Sequence, residues 1–172
     1  FTSSLLYGRP LEMALAFKSD IEIIKALLQK KDINFDKEVD GLGKNLISQA
    51  IENKASIDII KTFIEAGIDI NQQDYMSKTP LMYAINSGNP ELVEMLLSNS
   101  TLDINQDNFM YGTPLIYALD SDADPKIIEI LLSREEIDVD RKKGRKTALD
   151  IAKEKDIDQN IVAILEKKSI TQ

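Results

Sequence analysis

Apolar residues recur in two blocks at a regular interval along the chain. The first block is a short run that ends in an alanine. This alanine recurs at positions 14, 50, 84, 118 and 152, which gives successive differences of 36, 34, 34 and 34. The second block is an apolar pair that follows each alanine at a nearly constant distance along the chain. A repeat of this length predicts a solenoid, in which each repeat buries its apolar face against the next.

Two short helices are predicted for each repeat. A further apolar residue stands three positions before each apolar pair, and this spacing places all of them on one stripe of a helix. The pairs are Leu27-Leu28, Phe63-Ile64, Leu96-Leu97, Leu131-Leu132 and Ile164-Leu165. Proline suits the first turn of a helix, and Ser, Asn or Asp suits the N-cap. The predicted starts are Pro10, Pro80 and Pro114 for first helices, with Asp20, Ser56, Asn89 and Asp124 as caps of second helices.

The order of these features within a repeat resembles the ankyrin repeat. Thr79-Pro80-Leu81 and Thr113-Pro114-Leu115 match the opening tripeptide of that family, and Gly88 matches its inter-helix glycine. The resemblance covers roughly residues 9 to 166. It implies an all-α fold, an ankyrin-repeat solenoid of five helix-turn-helix units joined by hairpin-like loops. It also implies a single domain over residues 1–172, with repeats at roughly 5–35, 36–71, 72–105, 106–140 and 141–168.

The chain departs from the family at the position after Thr-Pro-Leu. The family usually has a histidine there, and its ring links neighbouring turns. This chain has no histidine, and the position holds Glu12, Ser48, Met82, Ile116 and Asp150. We therefore expect the hydrogen bonds between turns to be weaker or replaced, with apolar contacts holding the hairpins. The second repeat also lacks Thr-Pro.

The two ends of the array differ in polarity. The last repeat is rich in charged residues that can clothe its outer face, which predicts a C-terminal cap. The first repeat has apolar residues at Leu5, Leu6 and Leu11, although no repeat precedes it. Two alternatives follow: residues 1–8 fold over the first repeat, or an upstream repeat has been removed from a chain that begins at Phe1.

The composition argues against catalysis and against binding to nucleic acid or membranes. The formal net charge is −8, whereas nucleic acid and anionic lipid attract a cationic face. No apolar run approaches the ~18 residues that a membrane helix needs. Without Cys or His, the chain lacks thiolate metal ligands and the commonest general base. We therefore expect no enzyme activity, no cofactor and no metal site.

Two acidic segments have the spacing of the first half of a calcium-binding loop. They are residues 103–107 and 120–124. A complete EF-hand loop needs Gly at its sixth position and Glu at its twelfth, and both segments lack these residues. The repeat explains both segments instead, one as the end of a repeat and the other as a helix cap.

By resemblance, the hairpin tips and the inner face of the first helices form the groove that binds partners. Tips are normally polar, whereas aromatic residues and Met are enriched at binding hot spots. The candidates for partner binding are Tyr75, Met76, Lys78, Tyr83, Phe109, Met110, Tyr111, Tyr117, Lys142 and Arg145. The wider set of groove positions adds Leu42, Lys44, Gln49, Asn53, Asn86, Asp120, Lys143, Lys146, Ile151 and Lys153.

The aromatic candidates are expected to form a stripe from Tyr75 through Tyr83 and Phe109 to Tyr117. Tyr83 and Tyr117 occupy the same position in successive repeats, so they should stack as neighbours. The alternative is that these side chains fold down onto adjacent hairpins and form local clusters.

Residues 141–146 form a basic run in an acidic protein. One interpretation is a nuclear-import or anion-binding patch. The other is a solvated hairpin of the last repeat, with Gly144 at its turn. If the run binds a partner, the overall charge favours an acidic protein segment over nucleic acid.

These features predict a protein–protein interaction scaffold that binds a partner protein or peptide in the concave groove and at the hairpin tips. The alternative is a regulatory or targeting ankyrin segment of a larger protein whose activity lies outside this chain. A third interpretation is a structural spacer or self-associating module. We expect a monomer whose partner is a protein or peptide, with no nucleic-acid and no membrane partner. A cytoplasmic location is favoured, with export as the alternative.

Overall fold

The computed structural model describes residues 10–30 and 39–171. Ten α-helices and one antiparallel pair of short strands lie in these ranges. The elements are α1 Pro10–Ala16, α2 Ile21–Leu28, α3 Leu46–Glu52, α4 Ile57–Glu65, α5 Pro80–Asn86, α6 Pro90–Leu97, α7 Pro114–Asp120, α8 Pro125–Leu132, β1 Lys142–Lys143, β2 Lys146–Thr147, α9 Ala148–Glu154 and α10 Gln159–Thr171. Residues 1–8, with Leu5 and Leu6, lie outside the described residues. The structure therefore does not test whether they fold over the first repeat or follow a removed upstream repeat.

The helices begin where the proline and cap pattern predicts. Pro10, Pro80 and Pro114 are the first residues of α1, α5 and α7. The predicted N-caps of α2, α4, α6 and α8 are all at their places, which confirms the interpretation of residues 120–124 as a helix cap. Asp124, for example, accepts the backbone N–H of Lys126 at 2.8 Å, and so satisfies a donor that the first turn leaves without an intrahelical partner.

The second repeat starts its first helix without Thr-Pro because Asn45 takes over the cap. The Asn45 side-chain oxygen accepts the backbone N–H of Ser48 at 3.0 Å. Its side-chain amide donates to the backbone carbonyl of Asp69 at 2.6 Å, which ties the start of α3 to the turn after α4. One buried side chain therefore both caps a helix and links two loops.

The recurring alanine lies two residues before the end of the first helix of each repeat. Its side chain is fully buried in four repeats and 7% exposed at Ala14. In four repeats its carbonyl accepts the backbone N–H of the residue five positions later; the donors are Ser19, Ala55, Ala123 and Ile157, at 2.9 to 3.0 Å. The residue just before each donor has a positive φ, which turns the chain toward the second helix. These residues are Lys18, Lys54, Asp122 and Asp156, and Gly88 occupies the same place in the third repeat.

The described residues fall into two compact units. In the first, up to Pro80, α1 packs on α2 and α3, α2 packs on α4, and α3 packs on α4. First helices therefore stack on first helices and second on second, as the repeat predicts. The core of this unit contains fully buried Leu11, Ile24, Leu46 and Phe63.

The second compact unit, from Leu81 onward, has the same internal arrangement. Helix α7 packs on α8 and α9, and α8 packs on α6 and α10. Its core contains Leu96, Leu115, Ile127 and Leu131, all of which are fully buried. Each predicted repeat range holds one helix pair, although α10 runs to Thr171, past the expected bound at 168. Among the described residues, no helix has both the length and the apolar composition to cross a membrane.

Candidate functional site

An aspartate side chain holds the turn at each of two hairpin tips of the first compact unit, which are the loops before α3 and α5. Asp74 is 7% exposed, and its Oδ1 accepts the backbone N–H groups of Met76 and Lys78, both at 2.8 Å. Asp40 closes the preceding tip in the same way. Such Asx turns fix the backbone on both sides of the exposed tip residue. Hydrogen bonds from the backbone to an aspartate side chain therefore hold these two tips, in addition to the apolar contacts that the sequence predicts.

Tyr75 joins these two tips of the first compact unit. Its backbone N–H donates to the carbonyl of Leu42 at 2.9 Å. Its ring lies over Gly43, where an added Cβ would come within 2.6 Å of Tyr75 Cδ1. Gly43 also has a φ of 79°, a conformation that favours glycine. The chain at position 43 therefore accommodates only glycine without rearrangement, and the Tyr75 ring rests on it with one face while remaining 76% exposed.

In the second compact unit, Asn108 closes the tip before α7. Its side-chain oxygen accepts the backbone N–H groups of Met110 and Tyr111 at 3.1 and 2.7 Å. Its amide donates to Sδ of Met82 at 3.6 Å. Met82 stands where the family usually has histidine and is fully buried. This contact links a tip to the preceding first helix, so the predicted replacement of the histidine bond is present here.

The last tip, directly before α9, is held by backbone hydrogen bonds between two short strands and not by a side-chain acceptor. Lys142 stands one repeat after Asn108, and a lysine side chain cannot accept a hydrogen bond. Strands β1 and β2 pair antiparallel, with Lys143 opposite Lys146, and Gly144 has a φ of 64° at the turn. This confirms the interpretation of residues 141–146 as a hairpin with Gly144 at its turn.

Large apolar side chains are exposed at these tips. The exposed fractions are 105% for Phe109, 76% for Tyr75, 53% for Leu42, 48% for Met110 and 47% for Met76. Phe109 and Met110 are the counterparts of Tyr75 and Met76 in the next repeat. Two repeats therefore present an aromatic residue followed by Met directly after the residue that closes the tip.

Tyr117 does not have the exposed position that was expected of it. It is 7% exposed, and Tyr111 packs against it edge to face with ring centroids 5.5 Å apart. Burial removes Tyr117 from direct contact with a partner, and it supports the tip from beneath. Tyr111 and Tyr117 therefore form a local pair within one repeat, and the part of Tyr111 in partner binding stays a prediction. Tyr83 is half-buried, and its place in a continuous stripe stays a prediction.

Three positions of the wider groove set are buried rather than exposed. Lys44 is 5% exposed, and its ammonium pairs with Glu52 at 2.5 Å and with Asp40 at 3.4 Å. Burial by itself lowers the pKa of Lys44, but these two carboxylates outweigh it and the pKa is raised, so the side chain stays charged. Gln49 and Ile151 are 5% and 6% exposed. These three side chains serve the fold and offer little surface to a partner.

The basic hairpin lies beside carboxylates of its own compact unit. Lys143 pairs with Asp120 at 2.6 Å, Arg141 pairs with Asp138 at 3.0 Å, and Lys146 pairs with Glu154. The hydrogen bond from Lys143 lowers the pKa of Asp120, against the opposing effect of its partial burial. A cleft of about 520 Å³ lies behind the hairpin. It is lined by Asp120, Lys143, Lys146, Ile151, Glu154 and Lys155.

Within the described residues, no group of three or more carboxylates could hold a metal ion. In the segment 103–107, Asp103 Oδ1 accepts the backbone N–H of Asn105 at 3.0 Å, and so serves the turn at the repeat end. The absence of a cofactor and of enzyme activity stays a prediction.

Sequence reasoning missed the residues that close the tips. Asp40, Asp74 and Asn108 occupy equivalent positions in three successive repeats, and the same interval had already identified the alanines. The signal was an Asp or Asn that precedes the exposed residue of the tip by one or two positions. It was overlooked because polar residues are common in turns.

Residues 11–108, more than half of the chain, match the family model for ankyrin repeats in three copies. The chain belongs to the ankyrin repeat family. The solved ankyrin repeat protein EF0377 is 30% identical, with a TM-score of 0.75 over 92% of this chain and 80% of that one. The ankyrin repeat domain of Bcl-3, a member of the IkappaB protein family, has a TM-score of 0.78 over 92% of this chain and 71% of that one. At 20% identity, the latter shows the fold alone. The predicted ankyrin-repeat fold is confirmed.

Two curated relatives match shorter stretches of this ankyrin chain. The phosphocholine transferase AnkX of Legionella pneumophila is 51% identical over 43 residues, and the putative ankyrin repeat protein FPV024 of fowlpox virus is 43% identical over 51 residues. These stretches cover 24% and 30% of this chain, but only 4% and 9% of the two relatives. Ankyrin repeats are generally protein–protein interaction modules, and this general role comes with the family.

Proposed function

We propose that this protein is an interaction scaffold that docks a protein or peptide partner through its hairpin tips. One observation carries the proposal: an aromatic residue and a Met stand exposed at equivalent tip positions of two repeats. These are Tyr75 and Met76 in the first compact unit, and Phe109 and Met110 in the second. Each compact unit therefore offers an apolar contact surface of its own.

The tip backbone is preorganised for such contacts. Asp74 and Asn108 hold the chain around Tyr75 and Phe109, so that binding does not have to order these loops. A binding surface that is ordered beforehand loses less conformational entropy on association. Aromatic anchors on a rigid base are the kind of residue on which most binding energy depends, and truncating such a hot spot typically costs about 2 kcal/mol or more.

Selection from a displayed library of random peptides on the immobilised protein tests this proposal. We expect enriched peptides to bind the wild type and to bind the double variant Tyr75→Ala/Phe109→Ala at least about tenfold more weakly. The matched control is Phe17→Ala, because Phe17 is 75% exposed but directly follows α1 and belongs to none of the tip segments. Peptides that bind the double variant as tightly as the wild type would contradict the proposal.

The second proposal is that the chain acts as a regulatory or targeting segment of a larger protein. The lengths of the two curated relatives support it, since the matched stretches are 4% and 9% of those proteins. Detection of the native protein in its source with an antibody against this chain tests it. A native mass far above 19.3 kDa would favour this proposal, and a native mass near that value would contradict it.

A further inference from the structure

Two of the five cations in the hairpin of the last repeat form no ion pair with the described carboxylates around it. Arg141, Lys143 and Lys146 each form an ion pair, whereas neither Lys142 nor Arg145 forms one among residues 10–30 and 39–171. Hydrogen bonds from Thr147 are the main cause of the lowered pKa of Asp150. The nearby charge of Lys142 lowers this pKa to a smaller extent, without an ion pair. These two cations are exposed in a chain whose formal net charge is −8.

Strand geometry explains why Lys142 and Arg145 differ from their neighbours. Lys143 and Lys146 are cross-strand partners, so their side chains share one face of the hairpin, and both reach carboxylates in the cleft behind it. Lys142 precedes Lys143 on the same strand and therefore points to the opposite face. Arg145 follows Gly144 at the turn. Lys143 and Lys146 thus hold the hairpin against the cleft, whereas Lys142 and Arg145 stay exposed at the surface.

These cations lie beside the apolar tip of the fourth repeat. A Cβ added to Gly112 would come within 3.3 Å of Lys143 Cβ, so the two tips are adjacent. Phe109 is three positions before Gly112, and Lys142 is next to Lys143. The reach of the chain therefore puts Phe109 and Lys142 at most about 20 Å apart, a distance that six or seven extended residues span.

We infer that these two tips form one docking surface for a protein segment with an apolar anchor a few residues from a cluster of carboxylates. This inference rests on the proposed function and adds the chemistry of the partner. Phe109 and Met110 contact the anchor, while Lys142 and Arg145 attract the carboxylates. Charge complementarity selects a short acidic patch over nucleic acid, because a chain with a formal net charge of −8 repels a long phosphate backbone.

A library of random peptides of about ten residues, which is long enough to span both tips, provides the test. We expect peptides enriched on the wild type to combine an aromatic or aliphatic residue with several Asp or Glu. Their affinity should fall as salt rises, because the cations they meet are exposed. The variant Lys142→Gln/Arg145→Gln should bind them roughly fivefold to tenfold more weakly, as expected for the loss of two exposed charge pairs.

The control variant Lys126→Gln/Lys167→Gln removes the same charge from exposed helix positions of the same compact unit and should bind like the wild type. Peptides without acidic bias that still need Phe109 would overturn this inference and leave the proposed function intact. Peptides that need neither these two tips nor Tyr75 would overturn both. Binding of oligothymidylate that is lost in Lys142→Gln/Arg145→Gln would overturn the choice of a protein partner.

Discussion

A residue with positive φ lies between the two helices of each repeat. Glycine usually lowers the stability of a structured segment, but at this position it should raise the stability. Lys54 has a φ of 56° and is exposed, and the backbone N–H of the following Ala55 closes α3 on Ala50. This left-handed conformation lowers the stability of the folded state by about 1–2 kcal/mol for a residue that has a Cβ, and glycine avoids this loss. Glycine in turn loses about 0.5–1 kcal/mol more conformational entropy on folding. Lys54→Gly should therefore stabilise the protein by about 0.5–1 kcal/mol.

The third repeat provides the reverse experiment. Gly88 has a φ of 67°, and a Cβ added there would meet no atom within 4 Å. Gly88→Ala therefore has no steric cost against neighbouring atoms, and its backbone strain should destabilise the protein by the same ~0.5–1 kcal/mol. Asp122 stands at the equivalent place with a φ of 53° and pairs with Lys155 at 2.7 Å. Asp tolerates this conformation better than Lys does, so Asp122→Gly should stabilise the protein less than Lys54→Gly does.

Urea unfolding at a fixed temperature measures these changes as shifts of the midpoint with an unchanged slope. The corresponding shift in Tm is about 1–4 °C for a chain of this length. Lys61→Gly is the matched control, since Lys61 is an exposed lysine in the middle of α4, where glycine should destabilise the helix by about 1 kcal/mol. Equal destabilisation by Lys54→Gly and Lys61→Gly would contradict this prediction.

Three further predictions concern a hairpin tip, the capping box that Thr147 and Asp150 form at the start of α9, and the stacked core. Asp74→Ala leaves two backbone N–H groups without their acceptor and should cost about 1–2 kcal/mol in urea unfolding. Hydrogen bonds from Thr147 lower the pKa of Asp150 below its ordinary 3.8, so its stabilising effect is complete above that value and is lost as pH falls through the lower, folded-state pKa. Melting curves against pH should therefore fall less steeply in this acidic range for Asp150→Asn than for the wild type. Ala118→Leu overpacks a fully buried position in α7 and should lower the unfolding free energy by about 1–3 kcal/mol, which urea unfolding also measures.

The sequence predicted the helices well because their signals are local. Proline at a first turn and Asn or Asp at a cap act on the backbone within a few residues, so Pro80 and Asn89 could be placed without a structure. The fold class followed from the interval between the recurring alanines for a similar reason. An interval of this length leaves each repeat with an apolar face that only a neighbouring repeat can cover.

The candidate site was harder to predict because side-chain burial depends on packing between tips. Phe109 and Tyr111 lie in the same tip with only Met110 between them, yet one is fully exposed while the other packs on Tyr117. Lys44 looked like an exposed tip lysine, but Asp40 and Glu52 hold its ammonium in a buried position. These outcomes depend on residues from different parts of the repeat, which the periodic pattern alone does not bring together.

We propose that the exposed aromatic tips bind a partner and contribute little to the stability of the fold. Fluorescence anisotropy with one peptide selected on the wild type, measured on the wild type, Tyr75→Ala/Phe109→Ala and Phe17→Ala, tests it most directly. We expect at least about tenfold weaker binding for the double variant alone, and a Tm close to that of the wild type for all three proteins. Unchanged affinity in the double variant, or a large loss of its Tm with intact binding, would contradict it.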